Sequence, residues 1–135
     1  MSYTDADISI LTKTLLDPSL SLFVRYQALF TLHNIGTPAA IDVLSLALLS
    51  LNETCSPLFK HKVAFVFGQM SDPHSVLALL KVLEDKREEG MVCHKAVEAL
   101  GGIATDEVLP MLQKWAAKDD APRVVRESCV VAIDM

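Results

Sequence analysis

Lys60-His61-Lys62-Val63-Ala64-Phe65-Val66-Phe67 and Cys93-His94-Lys95-Ala96-Val97-Glu98-Ala99-Leu100 are one helical segment written twice, 33 residues apart. Two further stretches align with them without gaps: Arg25-Tyr26-Gln27-Ala28-Leu29-Phe30-Thr31-Leu32 and Arg126-Glu127-Ser128-Cys129-Val130-Val131-Ala132-Ile133. Tyr26, His61, His94 and Glu127 are therefore equivalent positions. Their spacings of 35, 33 and 33 residues belong to a helical repeat rather than to a propeller blade or a leucine-rich unit.

Between these segments lie amphipathic stretches with apolar residues at helical intervals: Ile41, Leu44 and Leu48; Val76, Leu79 and Leu83; Val108, Met111 and Trp115. Each repeat thus reads as a pair of helices, with repeats at about 5–36, 37–71, 72–104 and 105–135 of a single 1–135 unit. First helices are expected to start at Thr37-Pro38, Ser71-Asp72-Pro73 and Thr105-Asp106-Glu107, where a capping side chain precedes proline or an acidic first turn. Second helices are expected to open near Pro18, Pro57, Gly90 and Pro122, and helices to end at Gly36, at Gly68 to Ser71 and at Gly101-Gly102. The fold expected is all-α, a right-handed solenoid of four helix pairs, with Ala28, Val63, Ala96 and Cys129 letting adjacent second helices approach. No polar capping helix follows the last repeat, so its apolar end is expected to meet another subunit or a continuation of the chain.

Bulk composition agrees. With 51% hydrophobic but only 6% aromatic residues, the 135-residue chain can bury a core built from Leu, Val and Ala. The longest apolar run, Val43 to Leu49, is broken by Ser45 and is far shorter than the roughly 20 residues that span a bilayer. Asp5 and Asp7 stand where a signal peptide would be basic, so a soluble, cytoplasmic protein is expected. Cys55, Cys93 and Cys129 lack CxxC spacing and are odd in number, which points to reduced, buried thiols. A net charge of −5 gives no electrostatic footprint for nucleic acid.

The chemistry concentrates at His61-Lys62 and His94-Lys95. A histidine repeated on stacked helices can supply imidazole ligands to a metal, or can be packed and hydrogen-bonded within the repeat. The lysine beside each opposes a metal, because a protonated ammonium has no lone pair to give and repels a cation. Glu98, four residues after His94, shares its helix face and fits a supporting role. Glu127, in the histidine register, could reach the same surface. Cys93 precedes His94, but neighbouring helix positions point about 100° apart, a poor arrangement for nucleophile and base. His33 and His74 read as solvated, Lys86-Arg87-Glu88-Glu89 as a solvated turn, and Trp115 as a core or stack-end residue. GxSxG, P-loop and HExxH motifs are absent from the sequence.

The stretches Leu58-Phe59-Lys60-His61-Lys62-Val63-Ala64-Phe65-Val66-Phe67-Gly68-Gln69-Met70 and Glu89-Gly90-Met91-Val92-Cys93-His94-Lys95-Ala96-Val97-Glu98-Ala99-Leu100-Gly101 resemble the motifs KHExAxxLGQ and MVRHEAxEALG of the deoxyhypusine hydroxylase family. Arg25 to Leu32 and Val125-Arg126-Glu127-Ser128-Cys129 resemble the family's first and fourth repeats. The resemblance implies a HEAT-like enzyme of two lobes, each of four repeats, that hydroxylates deoxyhypusine on a translation factor with a di-iron centre and dioxygen. It makes His61 and His94 the metal ligands of the amino-terminal lobe, and puts Lys62 and Lys95 where that lobe's ligand glutamates are expected.

Two functions follow as expectations. One is a deoxyhypusine hydroxylase-like lobe, iron-dependent, acting on a deoxyhypusine-bearing translation factor when a second lobe or a homodimer completes it. The other is a metal-free HEAT-like binding or scaffold module that keeps the fold with a degenerate site. Neither nucleic acid nor membrane is an expected partner.

Overall fold

The computed structural model describes residues 3–103 and 105–133. Among them are eight α-helices and no strand: α1 (Asp5–Leu15), α2 (Leu22–Ile35), α3 (Pro38–Leu48), α4 (Pro57–Met70), α5 (Val76–Glu84), α6 (Gly90–Ile103), α7 (Val108–Ala116) and α8 (Arg123–Ile133). The architecture is the all-α helical repeat that the register predicts. Within pairs, α1 packs on α2, α3 on α4, α5 on α6 and α7 on α8; between pairs, the second helices α2, α4, α6 and α8 stack in order. None of the helices is long and apolar enough to cross a membrane.

Side-chain caps start most of the early helices. Thr4 and Asp7 form a reciprocal capping box on α1. Ser21, Thr37 and Ser56 each accept from the amide three residues on, a contact worth about 1 kcal/mol. Gly36 ends α2 in the left-handed region at φ 66°, and Ser71 ends α4 there at φ 51°. Asp72 caps a 3-10 turn, Pro73–Ser75, that runs into α5.

Three expected boundaries differ. α2 opens at Leu22, not near Pro18, because Ser21 supplies the cap and Asp17 turns the chain by accepting from both the amide and the hydroxyl of Ser19. Thr105 does not cap α7 through its side chain; Val108 N–H instead donates to the Thr105 carbonyl, and the helix starts without a side-chain cap. Gly101 and Gly102 do not end α6, which continues to Ile103. Glycine here serves packing: a Cβ on Gly68 would come within 3.3 Å of the Ala99 Cα, and one on Gly102 within 3.8 Å of the Gly68 carbonyl, so α4 and α6 meet closely along this edge.

The core forms one continuous cluster along the stack. Phe59, Phe67 and the leucines at 15, 29, 32, 44, 48, 79, 83 and 100 are essentially excluded from solvent. Ala28, Val63, Ala96 and Cys129, the expected small positions, are all buried. Trp115 packs partly buried against the core with the Lys118 ammonium over its ring.

Polar staples run through this apolar stack, all from the first position of the aligned segments. Arg25 Nε donates to the Leu15 carbonyl at 3.0 Å and Nη2 to the Thr54 carbonyl at 2.6 Å, while its guanidinium lies over the Phe59 ring. Lys60 Nζ donates to Asn52 Oδ1 at 3.0 Å and to Glu88 Oε2 at 3.1 Å, with both charged side chains almost fully buried. Glu88 is therefore not part of a solvated turn. It ties the α5–α6 turn to the start of α4. His74 is exposed, as expected, and its Nε2 meets the likewise exposed Asp42 on α3 at 2.8 Å.

All three thiols are free and buried. Burial, assisted at Cys93 by Glu88 and Asp85, pushes the Cys93 thiol up to about 11; burial alone pushes Cys129 to about 11. Burial shields all three sulfurs from reagent, and at Cys93 and Cys129 it also withholds the reactive thiolate, so iodoacetamide at pH 8 should leave the native protein unlabelled and label three sites after denaturation, as intact-protein mass spectrometry would show.

Candidate functional site

The exposed side of α4 and α6 carries the residues singled out in the sequence. His61 and Lys62 lie on the second turn of α4, and His94 and Lys95 on that of α6. The histidines share one electrostatic neighbourhood. Burial first, then the charge of Lys95, hold the His61 imidazole below its ordinary 6.5; His94 and Lys62 push the same way and Glu98 opposes them. His61 is thus neutral at physiological pH, the form that can donate a lone pair.

His94 is half exposed, and both of its ring nitrogens are engaged. The Ser128 hydroxyl donates its proton to the Val124 carbonyl at 2.6 Å, so it accepts from His94 Nδ1–H at 2.7 Å. This contact spans α6 to α8 and fixes the ring. Nε2 then faces Glu98 Oε1 at 2.6 Å. A histidine oriented through Nδ1–H with Nε2 turned outward is the usual preparation of a metal ligand, although here Glu98 occupies that nitrogen.

The lysines are held as firmly. Lys95 Nζ donates to Glu98 Oε2 at 2.8 Å, and this bond leads the causes that keep the Glu98 carboxyl below its ordinary range. The Lys62 ammonium lies 4.7 Å from the centroid of Phe65 and 5.6 Å from that of Phe30; Lys95 approaches Phe65 from the other helix at 5.7 Å. Phe65 is therefore flanked by two ammonium groups, an attraction worth about 0.5–1 kcal/mol at exposed sites. Beside it a shallow depression of about 250 Å³ is lined by Phe65, Gly68, Gln69, Lys95 and Glu98.

Glu127 turns away from this face to Arg123, one turn earlier, at 2.6 Å. Among the described residues no cluster of three or more His, Cys, Asp or Glu side chains is placed to hold a metal ion. The donor chemistry of the face fits part of a metal site: a neutral imidazole at His61 can ligate, the oriented ring of His94 can do so only where a metal displaces Glu98 from Nε2, and Lys62 and Lys95 cannot. Phe30, Phe65 and Ser128 were not evident from the sequence. Their signal was available in the register, since Phe30 and Phe65 align, and Ser128 aligns with the two lysines.

Residues 45–134 match the family of HEAT repeats, and residues 24–50 match the PBS lyase HEAT-like repeat. The chain belongs to the HEAT-repeat family. Its relatives include proteins named deoxyhypusine hydroxylase: one of Schizosaccharomyces pombe is 52% identical over 96% of this chain, and one of Lentinula edodes is 56% identical over 95%. That of Drosophila melanogaster is 43% identical over 97%. The structure of human deoxyhypusine hydroxylase in complex with glycerol superimposes with a TM-score of 0.82 at 38% identity, over 96% of this chain and 43% of that one. This HEAT-repeat chain spans about two fifths of the length of these relatives, 39% for S. pombe and 38% for L. edodes.

One consequence of the site's electrostatics is testable in the isolated chain. The unfolded protein takes up a proton at His61 as pH falls through 6.5, whereas the folded protein resists it. Folding stability is then complete above that range and declines on acidification. Urea denaturation between pH 7.5 and 5 should show this decline, and His61→Gln should flatten it.

Proposed function

We propose that this chain is a histidine-bearing lobe of a deoxyhypusine hydroxylase-like protein. It contributes to iron-dependent hydroxylation of a protein-bound deoxyhypusine in a translation factor when a second lobe completes the site. The observation that carries this reading is the paired placement of His61 and His94 on adjacent HEAT second helices, in a chain about half identical to named deoxyhypusine hydroxylases. His61 and His94 would hold iron, whose chemistry is the activation of dioxygen for insertion of one oxygen atom into a C–H bond. The chain's own residues keep His61 neutral, orient His94 through Ser128, and balance Lys95 against Glu98. Carboxylate ligands would come from the second lobe, as Lys62 and Lys95 supply none. A cytoplasmic location accords with a translation-factor substrate.

The two lysines favour a second reading, in which the chain is a metal-free HEAT-like binding or scaffold module. Lys62 is seated on Phe30 and Phe65 and Lys95 on Glu98, so the face is arranged around cations of its own. The readings separate on one assay. The chain is combined with the remaining three fifths of the S. pombe relative and given the deoxyhypusine-bearing factor, iron(II) and dioxygen. A mass gain of one oxygen on the factor, lost with His61→Ala or His94→Ala, supports the hydroxylase lobe. Intact association without that gain supports the scaffold.

A further inference from the structure

The second residue of each second helix is apolar and faces solvent: Phe23 on α2, Leu58 on α4, Met91 on α6 and Val124 on α8. Their exposures are 71%, 60%, 45% and 36%. Single exposed apolar side chains are ordinary on a protein surface. Four of them at equivalent positions, on helices that stack in order, make one apolar stripe across the chain, and such a stripe marks an interaction surface.

Charge and spacing say what fits it. Four residues on from Leu58 and on the same side of α4, the Lys62 ammonium lies over Phe30 and Phe65. On these helices Lys60, Lys95 and Arg123 each pair with a carboxylate, whereas Lys62 has none among the described residues. The stripe also lies in the first turns of four helices, whose N-terminal ends carry partial positive charge. A carboxylate reaching across one turn, about 5.4 Å, would complete Lys62. Packed helices stand about 8–10 Å apart. An extended polyproline II segment returns the same face every three residues, about 9.3 Å, and so keeps step with them. A helix laid along the stripe repeats its face every turn, about 5.4 Å, and does not.

We infer that this stripe docks an extended acidic-apolar segment of a partner protein. Apolar side chains at three-residue intervals rest on Phe23, Leu58, Met91 and Val124, and a glutamate or aspartate between them reaches Lys62. Neither imidazole takes part, so the docking is independent of iron and of the hydroxylase reading.

The test selects random twelve-residue peptides, displayed on phage, against the native chain in the presence of chelator. Recovered peptides should share apolar residues three apart and an acidic residue between them. A synthetic copy of the strongest should bind Lys62→Gln about tenfold more weakly in fluorescence polarisation, and Leu58→Asp more weakly still. An acidic residue in the first turn of a helix is favourable, so Leu58→Asp should keep its melting temperature and its loss reports on docking. Lys62→Glu should prefer the peptide whose acidic residue is replaced by lysine. A selection without that pattern, or peptides that bind the native chain, Lys62→Gln and Leu58→Asp alike, overturns the inference. So does a chain that dimerises in sedimentation and is made monomeric by Phe23→Asp, which would assign the stripe to a second copy. Loss of peptide binding when the remaining three fifths of the S. pombe relative is added would assign it to the second lobe, and overturns the inference as well.

Discussion

Lys62→Glu combined with Lys95→Glu should raise the affinity of the chain for iron(II) about a hundredfold, or ~2.8 kcal/mol. Two effects add. Each change removes a positive charge from beside the imidazoles and installs an anionic oxygen donor. A unit charge at 4 Å interacts by about 4 kcal/mol at an effective dielectric of 20, so the swing from repulsion to attraction is large enough even after screening. The same substitutions carry a cost in the metal-free protein. A glutamate at position 95 would face Glu98, which Lys95 now meets at 2.8 Å, and like charges at that distance repel. The double variant should therefore melt lower than the parent in chelator and higher in iron(II). Lys62→Gln with Lys95→Gln removes the repulsion without adding ligands and should gain far less affinity. If the glutamate and glutamine pairs bind alike, the imidazoles do not converge on one ion.

Glu88→Ala should cost 3–5 kcal/mol of folding stability, about the penalty for stranding a buried charge. The Lys60 ammonium would keep only Asn52 as a partner, in a place where its side chain is 4% exposed. For a chain of this size the melting temperature should fall on the order of 10–20 °C. Removing both charges is a different experiment. Lys60→Met with Glu88→Leu deletes the pair and the desolvation it required, and is expected to be close to neutral or stabilising. Thermal unfolding of the single and double variants would distinguish a staple that holds two pairs in register from an ion pair of little consequence, for which Glu88→Ala would shift the melt by a degree or two.

The register of the four aligned segments was enough to read the fold, because a repeat gives each helix its neighbours before any contact is known. Leu29, Ala64 and Val97 are buried for the reason that makes them equivalent. Boundaries were read less well where one signal displaced another: Ser21 outweighed Pro18 as the start of α2, and Gly101-Gly102 looked like a stop because glycine favours helix ends, although Gly68 and Gly102 are needed where α4 and α6 meet. The Lys60–Glu88 pair was not legible in the sequence. Nothing in Lys86-Arg87-Glu88-Glu89 says which of four charged residues turns inward, since that depends on a lysine 28 residues away.

At the histidine face, sequence located His61, His94 and the two lysines. It did not show that Ser128 orients one ring, that Phe65 lies between the two ammonium groups, or that Glu98 bonds both His94 and Lys95. Each of these depends on distances between helices, which follow from packing rather than periodicity. The same geometry decides what the lysines mean. They are seated, partnered side chains, and any metal at this face binds in their presence.

The most direct measurement is the iron content of the chain after reconstitution with the remaining three fifths of the S. pombe relative and removal of loosely bound metal, with that relative's full-length protein treated in parallel. The proposed lobe function predicts that the reconstituted protein retains iron and loses it with His61→Ala or His94→Ala. Iron retained by the full-length relative but absent from the reconstituted protein would contradict it.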